Sequence, residues 1–160
     1  MARATYENAT QAAVASAAAT TAKTILGVKA HANSGLLLLN WNIDFDGVTA
    51  SAAPIFVELC YITWATNSPG TASTSLTPVQ RGGRVLTAGF TAGYAWTTEP
   101  TAVTMLRNYL LDPNKGVYEF TFPLGDEPDC ALGEGFGVRC TVPSGGAAVN
   151  YRANMTVCRN

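Results

Sequence analysis

Residues 35–47 read GLLLLNWNIDFDG. The stretch begins as an unbroken apolar run, Leu36 to Leu39, and then alternates strictly. Asn40, Asn42, Asp44 and Asp46 are polar; Trp41, Ile43 and Phe45 are apolar. A two-residue period belongs to a β-strand with one dry and one wet face, and a continuous run to a strand covered on both faces. The stretch therefore predicts one strand, doubly covered at its start and half-covered at its end. Asp46-Gly47 then signals a turn.

Working outward, the same grammar recurs. TILGVKA at 24–30 reads as a strand with a glycine in it. PIFVELCYITWAT at 54–66 is β-branched and aromatic, which favours strand over helix. RVLTAGFTAGYAW at 84–96 is β-leaning and interrupted by Gly89 and Gly93, glycines of the kind that mark bulges or close backbone approach. EPTAVTMLRNYLLDPNKG at 99–116 fits a strand better than a short helix and ends in the turn former DPNKG. VYEFTFP (117–123), FGVRCTV (136–142) and AVNYRANMTVCRN (148–160) all alternate. NSPGTASTSLTPVQRGG at 67–83 reads as a long surface loop and LGDEPDCALGEG at 124–135 as a second.

About eight strands separated by turns, with no βαβ rhythm, predict an all-β fold: an antiparallel β-sandwich or jelly-roll-like barrel. The expected organisation is a single domain over 23–160. It is preceded by an extended Ala/Thr-rich N-terminal arm over 1–22, whose larger side chains are Tyr6 and Val14.

The chain has 160 residues, enough for one domain with a real core. Apolar residues make up 48% and charged residues only 13%, against the usual ~25%. Interface centres are depleted in charge, so the shortage points to a surface covered by other chains. A net charge of −1 gives no general attraction to phosphate and argues against nucleic acid as a partner. Arg81 and Arg84, around Gly82-Gly83, could make a small basic patch, but the plainer reading of RGGR is a solvated turn. No apolar run approaches the ~20 residues of a membrane span, so no membrane is expected as a partner. The small-residue stretch AVASAAAT lacks the apolar block of a signal peptide before it. Without one, the Asn8-Ala-Thr and Asn154-Met-Thr sequons read as coincidence.

Catalytic constellations are sparse. His31 is the only histidine, and no nucleophile-elbow glycines surround a serine that could join it and Asp44 in a triad. QRGGRV and TAGFTAGY lack the lysine and hydroxyl residue of a phosphate-binding loop. Asp126, Glu127 and Asp129 could supply part of a calcium shell, but EF-hand spacing is absent and Pro128 interrupts them. Asp44 and Asp46 lie two apart on one strand face, as a half-exposed strand requires by itself. Cys60, Cys130, Cys140 and Cys158 contain no CxxC pair and read as buried thiols, or as one of three disulfide pairings if oxidised. No enzyme activity, metal or cofactor is expected. Among the aromatics, Trp41 and Trp64 fit core positions, while Tyr94 and Trp96 lie near a loop and are candidates to contact a sugar.

The stretches TILGVKAHANSGLLLLNWNIDFDGVTAS, ATNSPGTASTSLTPVQ, GRVLTAGFTA and EGFGVRCTVPSGGAAVNYRANMTV resemble small β-rich virion proteins of tailed bacteriophages, in particular head decoration (cement) proteins. The resemblance covers much of 24–157 and rests on overall texture. It implies a non-enzymatic structural protein, made in the host cytoplasm, that binds the capsid surface. Its partners would be sister copies, most often in a trimer, and the major capsid protein. Tyr6, Val14, Arg81, Arg84, Tyr94 and Trp96 are the candidate interaction residues. A tail or fibre component binding glycan through Tyr94, Trp96 and the 67–83 loop is the other reading.

Overall fold

The computed structural model describes residues 4–46, 53–81 and 85–159. Among them are thirteen strands and no helix, arranged as two antiparallel sheets packed face to face. The first sheet runs β10 (Tyr118–Thr121), β4 (Leu36–Phe45), β13 (Asn150–Arg159), β1 (Thr5–Ala9), β7 (Val79–Gln80). Two short strands attach to it: β11 (Asp129–Cys130) on β4 and β2 (Val14–Ala15) on β13. The second runs β6 (Thr74–Leu76), β8 (Thr91–Tyr94), β3 (Ala22–Lys29), β12 (Gly135–Thr141), β5 (Ile55–Ile62), β9 (Val103–Leu111).

The pairing is nested. β1 pairs with β13, β3 with β12, β4 with β10 and β5 with β9. The first half of the chain thus lies against the second half in reverse order. The strand orders β1-β13-β4-β10 and β3-β12-β5-β9 that result are those of a jelly-roll-like sandwich. β6, β7 and β8 come from the connection between β5 and β9 and widen both sheets on one side.

β4 alternates as its second half predicts, but Leu37 and Leu39 are only half-buried, so the expected cover on both faces of its start is not met. Trp41, Ile43 and Phe45 are buried between the sheets, while Asn40, Asn42 and Asp44 are half-buried on the outer face. Tyr151, Ala153, Met155 and Val157 of β13 are fully buried beside them. A bulge between Thr156 and Val157 breaks the alternation, and Cys158 is buried as well. The aromatic groups lock the β9–β10 side of the sandwich. Phe120 stacks on Trp41 at 4.4 Å, and Tyr109 of β9 meets Phe120 at 4.3 Å.

Three further expectations need correction. The N-terminal segment is not an extended arm in its described part. Tyr6 and Val14 are 1% and 2% exposed, and β1 is an interior strand between β13 and β7. The Thr5-Tyr6-Glu7-Asn8 alternation is a strand pattern, and the core it joins is supplied by β13, far away in sequence. Residues 4–22 therefore belong to the same domain as the rest. The loop expected at 67–83 holds the strands β6 and β7. The strand expected at 84–96 shrinks to four residues, because 85–89 pair with no strand.

Candidate functional site

The outer face of the first sheet carries a ladder of short polar side chains. Asn154 donates from Nδ2 to Asn42 Oδ1 at 2.7 Å, and Asn150 from Nδ2 to Asp46 Oδ2 at 2.9 Å. Thr156 donates to Glu7 at 3.0 Å, and Glu7 in turn accepts from Arg81 at 2.8 Å. Asp44 lies opposite Arg152 in the register. Burial pushes the Asp44 carboxyl up, and the Arg152 charge opposes this. The alternation in NWNIDFD thus builds a polar face bonded across its strands, with Asp44 Oδ1 left without a partner among the described residues. Arg81 is engaged by Glu7, and Arg84 lies outside the described residues, so the expected basic patch is not seen as a free cationic surface.

The outer face of the second sheet is built differently. Gly93, Gly27 and Gly137 lie side by side across β8, β3 and β12, followed by Cys60 of β5 and Met105 of β9. This lane has no side-chain cover of its own in its first three positions. Two indoles fill it. Trp64 and Trp96 stack at 5.4 Å, and a Cβ on Gly27 would sit 2.6 Å from one and 2.9 Å from the other. Trp96 donates from Nε1 to Asn67 O at 2.8 Å, and Trp64 from Nε1 to Val28 O at 3.0 Å. Trp64, Trp96, Cys60 and Ile62 form a second apolar cluster, apart from the core between the sheets.

This overturns the role expected of Trp96. It is 1% exposed and holds the 67–73 segment onto the sheet, so it presents no flat surface to a sugar. Tyr94 is half-buried against the main core. Trp64 is buried as expected, but it follows β5 in a left-handed conformation, φ 53°, that aims the ring back over Gly27.

Beside the indoles lies a polar knot. Glu99 accepts from Thr24 N with both oxygens at 2.9 Å and from Thr24 Oγ1 at 2.5 Å. Its Oε2 lies 3.7 Å from Arg139 Nε. Arg139 pairs in register with Glu58, which is 9% exposed. A recess of about 590 Å³ opens here, lined by Lys23, Trp96, Thr97 and Glu99 among others. Glu99 is already committed to a backbone N–H, which makes it a structural acceptor.

None of the four cysteines is in a disulfide, and all are buried. Burial and the Glu58 carboxylate push the Cys60 thiol up to about 12, against the pull of Arg139. Burial likewise pushes Cys130 up to about 11 and Cys140 well above its ordinary value. Protonated, enclosed thiols are poor nucleophiles and poor metal ligands.

The imagined triad does not assemble. His31 Nδ1 accepts from Asn33 N at 3.2 Å in a turn, and Ser34 Oγ accepts from Arg159. Asp44 is nine strand positions beyond Gly35, about 30 Å along β4. Asp126, Glu127 and Asp129 are exposed, or half-exposed in the case of Glu127, and Glu127 accepts from Gly125 N at 2.6 Å. Among the described residues no cluster of His, Cys, Asp and Glu is arranged to hold a metal. Asn8 is buried, with its amide donating to Met155 O, and Asn154 is bonded to Asn42, so neither sequon presents a free amide. Among the described residues no helix is long and apolar enough to cross a membrane.

Sequence and fold comparisons with known proteins return no matching family model, no matching curated protein and no matching solved structure.

Proposed function

We propose that this chain is a non-enzymatic structural virion protein, a capsid decoration protein that binds the phage head surface as an oligomer. The observation that carries the reading is the open edge β9. This strand ends the second sheet with nine residues, and among the described residues its outer backbone groups have no partner strand. Met105 and Leu110 stand 46% and 71% exposed on it, and Val117 beyond the following turn is 63% exposed. A long apolar edge left bare invites another strand, and natural proteins leave one open chiefly where it is used. The opposite side of the sandwich offers an unlike counterpart: the short edge β7 with exposed Val79, and Val85 and Leu86 nearby. Unlike edges meeting head to tail generate a closed ring such as a trimer where the rotation closes, and an open filament where it does not. Low overall charge fits binding through apolar and backbone contacts to sister copies and to the major capsid protein.

Analytical ultracentrifugation with capsid co-sedimentation tests this. The expected result is an oligomer that binds heads, with Leu110→Lys giving a folded monomer that does not. A wild-type chain that stays monomeric at all concentrations and ignores capsids overturns it.

A further inference from the structure

We infer that the cleft beside the glycine lane, two residues along β3 and β8 from Gly27 and Gly93, is a binding site for a small oxyanion, a phosphoryl or carboxylate group. The cleft measures about 290 Å³ and is lined by Lys29, Ala30, His31, Ser68, Pro69, Gly89, Phe90 and Thr91, among others. Its donors follow from strand geometry. Gly27 faces outward beneath the indoles, and Lys29 stands two residues on, so it shares that face. His31 follows two residues later at the isolated bridge to Ser34. A second cation reaches the Gly89 wall from the other sheet. The Arg159 guanidinium lies against Gly89, where an added Cβ would come within 3.0 Å of Nη1. Arg159 Nε donates to Ser34 Oγ at 3.1 Å, which fixes it there.

Lys29 and His31 therefore line one recess, and Arg159 backs its wall behind Gly89. Among the described residues neither Lys29, His31 nor Arg159 has a carboxylate within ion-pairing distance; the two ion pairs use Arg81 and Arg139. The Nδ1 of His31 accepts a backbone N–H, which leaves Nε2 as its donor. Ser68 and Thr91 add hydroxyls to the wall. Unpaired donors around a concave, partly apolar recess suit an anion, because charge-assisted bonds form there without displacing an internal partner.

Backbone amide NMR titration tests the site, with inorganic phosphate, glucuronate and, at matched ionic strength, chloride. The expected result is saturable shifts at Lys29, His31 and Thr91 with phosphate or glucuronate but not chloride. Losing one charge-assisted bond in Lys29→Gln weakens binding about tenfold, while the exposed-turn variant Lys115→Gln leaves it unchanged. Tighter binding of phosphate marks a phosphorylated ligand, and tighter glucuronate an acidic sugar. Shifts that never saturate, that chloride reproduces, or that persist undiminished in a Lys29→Gln protein with an otherwise native spectrum overturn the site.

Discussion

The ring of Trp64 lies 5.4 Å from that of Trp96, with 23° between their planes, and together they stand where the side chain of residue 27 would be. The second sheet is thus packed on both faces: against the first sheet inside, and against its own connecting loops outside.

Removing one ring should unfold this outer layer. Trp96→Ala is expected to cost about 3–5 kcal/mol, as large-to-small changes in packed sites do. Gly27→Ala fills occupied space and should cost about 1–3 kcal/mol. Urea unfolding followed by tryptophan fluorescence measures both. A Trp96→Ala protein of unchanged stability would return this residue to the surface role its sequence position suggests.

Glu99 should act as a clamp. It holds the buried Thr24 N–H and pairs with Arg139, so Glu99→Ala strands a donor and removes the carboxylate 3.7 Å from Arg139 Nε. The expected loss is about 1–3 kcal/mol, with faster amide exchange at Thr24 as its signature. Glu99→Gln, which keeps an acceptor oxygen, should lose less.

The thiols should be silent in the folded state. Reaction with an aromatic disulfide reagent near neutral pH is expected to be slow for native protein, and all four should react after denaturation. The linkage has a definite sign. Folding favours the protonated form of Cys60, so its contribution is intact below the ordinary thiol value of 9.0. It is lost progressively as pH rises from there toward about 12. Cys60→Ala should flatten the alkaline limb of the stability profile.

Asp44 should work in the opposite direction from most carboxylates. Burial raises its folded pKa, so the folded state holds that proton more tightly than the unfolded chain. Its unfavourable contribution is present above the folded value and disappears as pH falls below the ordinary value of 3.8. Asp44→Asn should therefore be more stable than the parent near neutral pH, with the gain shrinking in acid. Unfolding midpoints at the two pH values check it.

The sequence made the alternating strands legible. Trp41, Ile43 and Phe45 announced their face of β4, and Tyr151, Ala153 and Met155 announced theirs on β13, because a two-residue period is a local signal. β1 was illegible for the complementary reason. Five residues around Tyr6 become a strand only because β13 lies ready beside them, and no local pattern encodes a partner nearly the whole chain away. Gly27, Gly93 and Gly137 read singly as interruptions. Their alignment into one lane, and hence the seat for Trp96, exists only once β8, β3 and β12 are in register. The cationic cleft was hidden in the same way, since Lys29 and Arg159 come from different sheets.

β13, last of the strands in chain order, sits at the middle of its sheet, between β4 and β1. During synthesis on the ribosome, β4 and β1 therefore wait as two raw borders until their common neighbour emerges. A chain cut short before Asn150 would keep both borders exposed, and aggregation, rather than a smaller working domain, would be its fate.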